Sequence, residues 1–218
     1  DLTGGLGVDS WFFSKHFSEV LYNEMQEPLC MAAEYNFEQL EAKNINVSNL
    51  EIQANIPALH ELLNNFRPDI VFIDPARRGE GGKKVFLIED CTPDVLTLRN
   101  DIFTHCRHLL IKLSPMADIS MVCHRLGAMC REVHVVACGG ECKELLIWMD
   151  REWQGAYSIT AVEISRQARN DSISTLSSRD FSLSSRDLSL SSRARPEAES
   201  RDLLSLPPSP LYLFEPGK

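Results

Sequence analysis

The sequence predicts an α/β protein built on a doubly wound, Rossmann-like sheet, and three features lead to this prediction. Residues 1–9 read as the end of a strand, a glycine-rich turn and the start of a helix. The apolar run Ile70–Ile73 ends in Asp-Pro, as expected of a central parallel strand that is buried on both faces. Strand-like and helix-like patterns alternate along the chain, which is the order of βαβ units.

The turn in residues 1–9, Asp-Leu-Thr-Gly-Gly-Leu-Gly-Val-Asp, has the composition of a ligand-binding loop. Glycine permits the backbone angles of a tight turn and lets a ligand approach the main chain closely. The helix predicted over residues 10–17 would present its free amide groups to that ligand. A dinucleotide fingerprint needs G-x-G-x-x-G, but Ser10 occupies the third glycine position after Gly5 and Gly7. The pattern is D-x-T-x-G-x-G instead.

The other elements follow from apolar periodicity and from turn residues. The predicted strands are residues 19–23, 47–54, 70–73, 108–113, 132–137, 143–149 and 156–164. The predicted helices are residues 10–17, 28–43, 57–66, 118–129 and a helix that is capped by Asp90 or Thr92 and runs through Leu98.

Three polar residues end predicted strands. Asp74 projects from the carboxyl edge of the sheet, where open α/β folds bind ligands. Glu24 ends the second strand, and a carboxylate there can accept hydrogen bonds from both hydroxyls of a ribose, although an ordinary surface glutamate is the alternative. Asn55 ends the third strand, and its alternative interpretation is a simple turn former.

Two motifs resemble those of class I S-adenosylmethionine-dependent methyltransferases. D-L-T-G-G-L-G-V-D resembles motif I in the form seen in enzymes that methylate nucleic acids. F-I-D-P-A-R-R resembles motif IV, D/N-P-P-x, with Ala76 in place of the second proline. Arg77 stands where amino-methylating members usually carry Tyr or Phe. D-P-x-R is closer to uracil-C5 RNA methyltransferases, which also need a cysteine nucleophile. Cys91 could be proposed for that role, but a small residue packed beside a helix start is the favoured interpretation, because no base is identified that would activate the thiol.

The resemblance implies a role for each matched residue. Asp1 orients the amino group of S-adenosylmethionine, the glycine turn lies against its methionine part, Glu24 holds the ribose and Asn55 contacts the adenine. Asp74 and the backbone after it position the nucleophile of an RNA base. The expected cofactor-binding residues are Asp1, Thr3, Gly5, Gly7, Asp9, Glu24 and Asn55. The expected catalytic residues are Asp74, Pro75, Ala76 and Arg77.

The same resemblance implies a seven-stranded sheet with an antiparallel last strand, of which the first strand is largely missing. It covers residues 1–164 and points to a bacterial group whose members carry a THUMP-like domain after the catalytic one. Residues 165–210 contain a serine- and arginine-rich seven-residue repeat and are predicted to be a disordered linker. Residues 211–218, which include L-Y-L-F-E-P, resemble the start of that THUMP-like domain. This association implies structured RNA, either tRNA or rRNA, as substrate.

Composition narrows the functional classes. The net charge of −9 disfavours a strongly basic nucleic-acid-binding face on this segment. The odd number of cysteines, seven, predicts buried reduced thiols rather than a disulfide framework, which favours a cytoplasmic location. No histidine spacing completes a zinc site.

Two alternatives to a methyltransferase stay open. A Rossmann oxidoreductase is disfavoured by Ser10 and by D-P-A-R-R. A non-catalytic module that retains the fold for binding RNA or a protein is favoured by the missing aromatic residue after Asp74-Pro75.

Overall fold

The computed structural model describes residues 1–53, 56–77 and 87–164. In these ranges the helices are α1 Val8–Phe13, α2 Glu27–Gln39, α3 Ile56–Phe66, α4 Val95–His105 and α5 Ile119–Leu126, with a 3-10 helix at Ile88–Asp90. The strands are β1 Val20–Asn23, β2 Ile45–Ser48, β3 Ile70–Ile73, β4 Ala76–Arg77, β5 Cys91–Thr92, β6 His108–Leu113, β7 Cys130–Cys138, β8 Glu141–Asp150 and β9 Ser158–Ile164.

The chain start joins two sets of strands into one mixed sheet. Strands β1 and β2 pair in parallel, and a second set has the order β3-β6-β8-β7-β9. Between the two sets, the Asn23 amide donates to the Asp1 carbonyl and the Leu2 amide donates to the Phe72 carbonyl. Residues 1–4 therefore lie between β1 and β3, at the place of the first strand that the resemblance implied to be largely missing.

The antiparallel strand of this sheet is β8. It lies between β6 and β7 and runs antiparallel to both. The predicted antiparallel last strand is therefore wrong in one respect, because β9 follows β8 in the chain and pairs with β7 in parallel. A tight turn at Gly139 and Gly140, both with positive φ, lets β7 and β8 form a hairpin, whereas β9 returns after a longer connection.

Helices cover both faces of the sheet, as a doubly wound fold requires. Val71 and Ile73 of β3 belong to the large core, to which helices α3, α4 and α5 contribute their buried side chains. Phe72 points to the opposite face, and its ring lies 5.1 Å from that of Phe13 in α1. A smaller core forms where Tyr22 of β1 packs with buried residues of α2. The continuous apolar run of β3 is thus explained by burial on two faces.

Several predicted boundaries are wrong, among them both ends of the first helix and of the strand predicted over residues 47–54. Helix α1 begins at Val8 because Gly7, with φ +84°, forms its N-cap, and it ends at Phe13. The strand predicted over residues 47–54 is Ile45–Ser48, since the chain leaves β1 after that point and the Asn23 side chain then donates to the Leu50 carbonyl.

The cap of α4 is also different from the prediction. Asp94, and neither Asp90 nor Thr92, caps this helix by accepting hydrogen bonds from the Leu96 and Thr97 amides. Asp90 ends the 3-10 helix and Thr92 lies in β5, so neither residue immediately precedes α4, which begins at Val95.

Parts of the predicted organisation lie outside the described residues. These are the linker at 165–210, the THUMP-like start at 211–218 and Asn55. Within the described ranges, none of the helices has the length and apolarity needed to cross a membrane.

Candidate active site

The glycine turn adopts the backbone conformation that its sequence requires. We call residues 3–7 the glycine loop. Gly5 and Gly7 have φ of +52° and +84°, a region that favours glycine. Gly4 needs glycine for space, because a Cβ there would lie 2.0 Å from Tyr22 Cε2. A Cβ on Gly5 would meet nothing within 4 Å, so the loop is open to solvent at this point.

Side chains from three directions fix this loop. The Asp1 carboxylate accepts hydrogen bonds from the Thr3 amide at 3.0 Å and from the Ser10 hydroxyl, which is fully buried, at 2.7 Å. The Tyr22 hydroxyl donates to the Gly5 carbonyl. Burial raises the pKa of Tyr22 above its ordinary value, which keeps this phenol a hydrogen-bond donor. At this end the loop is therefore held by neutral donors and the Asp1 carboxylate.

Glu24 lies against the glycine loop, as its position after β1 predicted. Its side chain is only 6% exposed although it is an acid. Glu24 Oε2 accepts a hydrogen bond from the Gly5 amide at 2.9 Å, and Oε1 accepts one from the Gln26 amide at 2.8 Å. These two amides compensate its burial and aim the carboxylate along the loop.

The Asp-Pro motif is tied directly to the loop. The Asp74 amide donates to Thr3 Oγ1 at 2.7 Å, so the end of β3 and the glycine loop share one edge of the sheet. Pro75 is buried, and Ala76 and Arg77 form β4, which pairs antiparallel with β5. The chain after Asp74 therefore begins with a short two-stranded antiparallel pairing. The side chain of Arg77 is not among those that the structure describes.

A lysine that the sequence prediction overlooked lies beside Asp74. Lys112 Nζ contacts Asp74 Oδ2 at 2.9 Å and Asp9 Oδ2 at 2.6 Å. Burial alone lowers the pKa of Lys112, but hydrogen bonds to Asp9 and Asp74 outweigh burial and raise this pKa above its ordinary value. Asp9, predicted as a cofactor residue, is thus placed with Asp74 rather than with the glycine loop.

Glu144 of β8 completes what we call the lysine cluster: Asp9, Asp74, Lys112 and Glu144. Burial raises the pKa of Glu144, Lys112 opposes this effect, and the Asp9 and Asp74 carboxylates add to it. A cavity of about 240 Å³ opens beside the cluster, and its lining comprises Asp74, Pro75, Lys112, Leu113, Ser114, Lys143 and Glu144. A larger cavity of about 350 Å³ lies at the other end of β1 and β3 and is not near these groups.

Lys112 and Glu144 could have been found from a weak signal. Both interrupt apolar strands near the ends that meet at the ligand edge of the sheet. Their meeting with Asp74 depends on β8 inserting between β6 and β7, and no local sequence pattern encodes that order. Cys91, by contrast, is only 1% exposed, and its Sγ lies 3.8 Å from the Leu87 carbonyl, as expected of a packed thiol.

Solved structures of known proteins resemble this chain in fold. No protein-family model matches the sequence, and no curated protein matches it. A "putative methyltransferase" from Porphyromonas gingivalis W83 is 32% identical, with a TM-score of 0.67 over 84% of this chain and 43% of that one. A "predicted O-methyltransferase" from Agrobacterium tumefaciens is 14% identical, with a TM-score of 0.53 over 77% of this chain and 80% of that one.

The chain has a Rossmann-like methyltransferase fold. It spans less than half of the P. gingivalis protein, 43%, so the activity of that whole protein does not transfer directly. At 14% identity, the A. tumefaciens protein supports the methyltransferase fold alone. A third structure, a "putative methyltransferase" from Streptococcus mutans in complex with SAH, is 16% identical with a TM-score of 0.43 over 69% of this chain and 85% of that one.

Proposed function

We propose that this chain is the catalytic part of an S-adenosylmethionine-dependent methyltransferase that modifies a base of structured RNA, either tRNA or rRNA. One observation carries the proposal. The hydrogen bond from the Asp74 amide to Thr3 Oγ1 joins the glycine loop to the Asp-Pro motif at one sheet edge. A cofactor site and an acceptor site must be adjacent for direct methyl transfer.

The residues around the glycine loop fit S-adenosylmethionine. The open space at Gly5 leaves the backbone accessible to a ligand, and Glu24 presents a buried carboxylate beside it. The ribose hydroxyls would donate to Glu24, whose oxygens each retain a free lone pair after binding the two amides. Asp1 would receive the cofactor's amino group while it keeps its bonds to Thr3 and Ser10.

The acceptor side follows from Asp74. When bound, the cofactor supplies an electrophilic methyl group on a sulfonium. Asp74 Oδ1 would accept a hydrogen bond from an N–H of the acceptor, which aligns the nitrogen lone pair with that methyl group. Catalysis of this kind is mainly orientation, and effective molarities of about 10⁵ M or more are accessible to well-aligned groups. A conventional acid–base pair is therefore not required.

The RNA part of the proposal is supported by the sequence resemblance, namely the form of motif I and the THUMP-like association, rather than by a basic surface. The net charge of −9 disfavours a strongly basic RNA-binding face on this segment. We propose that a THUMP-like domain, connected through the serine-rich linker, supplies the main RNA-binding surface. A cytoplasmic location is part of the same proposal.

The test is tritiated methyl transfer from S-adenosylmethionine to bulk cellular RNA, catalysed by the full-length protein. The wild type should label RNA, and Asp74→Ala should lower labelling on the order of 10²-fold or more while the cofactor still binds. Asp118→Ala is the matched control, because Asp118 is an exposed cap of α5. Cofactor binding without any transfer by the wild type would contradict the catalytic proposal and favour an RNA- or protein-binding module.

A further inference from the structure

We infer that Lys112 is the positioning residue of the acceptor site, an assignment that rests on the proposed methyl transfer. Its ammonium joins Asp74, which ends β3, to Asp9 in the first turn of α1. The second contact matters because α1 follows the glycine loop directly. Lys112 therefore fixes the acceptor carboxylate relative to the element that would carry the cofactor.

The geometry selects one oxygen of Asp74 for the acceptor. Lys112 Nζ holds Oδ2 at 2.9 Å, and the Asp74 amide is held by Thr3 at 2.7 Å. Among the described residues, Oδ1 has no hydrogen-bond partner, and Asp74 lines the 240 Å³ cavity. The carboxylate is thus anchored through Oδ2, and Oδ1 is the oxygen left for an acceptor bound in the cavity.

Lys112 also has a free donor. An ammonium carries three N–H groups, and the described residues engage two of them, through Asp9 and Asp74. The side chain is 20% exposed and lines the same cavity, so the third N–H can reach a bound group. The acceptor must therefore offer a lone pair next to the N–H that binds Asp74 Oδ1. The base edges of RNA have such a donor–acceptor pair, whereas an isolated amine cation does not.

A merely structural ion pair explains this arrangement less well. Surface pairs contribute little to stability, and Lys112 contacts two carboxylates that are 39% and 41% exposed. Structural cations in this chain look different: Arg107 grips Asp150 with two parallel bonds at 2.9 and 3.0 Å, and Asp150 is buried. The Lys112 ammonium at the cavity instead suits adjustable contact with a substrate.

The experiment measures the steady-state kinetics of RNA methylation by the full-length protein with Lys112→Met and Lys112→Arg. Lys112→Met should lower kcat on the order of 10²-fold with an unchanged KM for S-adenosylmethionine, because a displaced acceptor is misaligned. Lys112→Arg should recover part of kcat, since it keeps the charge but not the geometry. Lys43→Met, at an exposed lysine that does not line the cavity, controls for the lost positive charge.

The pH–rate profile separates positioning from a structural role. Asp9 from α1, Asp74 from β3, and Glu144 and Lys143 from β8 face Lys112. Lys143 is paired with Glu141 at 2.6 Å and so compensates little. Without Lys112, the three carboxylates face one another, and the acid limb of the profile should move to higher pH.

The possible outcomes discriminate between the two proposals. An active wild type whose Lys112→Met variant keeps kcat and its pH profile would overturn the role of Lys112 alone. An inactive wild type that still binds the cofactor would overturn the proposed function first. If Lys112→Met melts at a much lower temperature than the wild type, Asp9→Asn is the second variant, because it removes the ion pair between Lys112 and α1 and leaves Lys112 in place. A kcat and pH profile equal to those of the wild type would then overturn the inference.

Discussion

The glycine loop and the lysine cluster lie at the same sheet edge but are built in opposite ways. The loop is one contiguous stretch, held by hydrogen bonds in which the Asp1 and Glu24 carboxylates accept from backbone amides and a buried serine, and in which the Tyr22 phenol donates. The lysine cluster is collected from α1, β3, β6 and β8 and is held by charges. A loop fixed by hydrogen bonds suits a ligand that must be bound in one pose, whereas an ion-paired and half-exposed cluster can respond to its substrate.

The strongest test of this contrast changes adjacent glycines. Gly4→Ala should destabilise the fold by about 3 kcal/mol, because its Cβ would lie 2.0 Å from the fully buried Tyr22 ring. Gly5→Ala adds a Cβ in open space and should cost only about 1 kcal/mol, through its φ of +52°. Urea unfolding of both variants measures the difference. Equal costs would show that the loop is not packed against Tyr22 as described.

A smaller effect is expected from removing one hydrogen bond that supports the glycine loop. Tyr22→Phe deletes the donor to the Gly5 carbonyl and should cost about 1 kcal/mol in unfolding free energy. Cofactor affinity should fall because the loop loses one support. The m value of urea unfolding should be unchanged, because the ring still packs. Calorimetric titration alongside urea unfolding checks both values, and unaltered affinity would mean that the loop does not need this support.

The smallest effect concerns pH and the lysine cluster. The raised pKa of Glu144 means that its ionisation costs more in the folded state than in the unfolded chain. This residue's contribution to stability is fully present below the ordinary glutamate pKa of about 4.3 and is lost as pH rises through the raised value. Glu144→Gln should therefore gain stability relative to the wild type as pH rises across that window. A constant difference between pH 4 and 8 would contradict the burial of this carboxyl group.

The same contrast explains what the sequence could predict. The glycine loop, Glu24 and Asp74 were predicted because each follows a strand in a local pattern, and the structure places all three together. Lys112 was missed as the partner of Asp9 because the contact between these two residues spans 103 positions in the chain. Boundaries failed where side chains decide them, as when Asp94 rather than Asp90 or Thr92 caps α4. Long-range strand order and specific capping are tertiary effects that local periodicity does not contain.

The most direct test of the central claim is isothermal titration of the full-length protein with S-adenosylmethionine and S-adenosylhomocysteine. The wild type should bind both in the micromolar range, and Gly5→Val should abolish binding because its side chain occupies the open space of the glycine loop. Gly127→Ala is the matched control, since Gly127 also has a positive φ, +79°, and open space but lies after α5. Binding lost in Gly5→Val and kept in Gly127→Ala is the predicted result. No binding by the folded wild type, or equal binding by Gly5→Val, would contradict the assignment of the loop as a cofactor site.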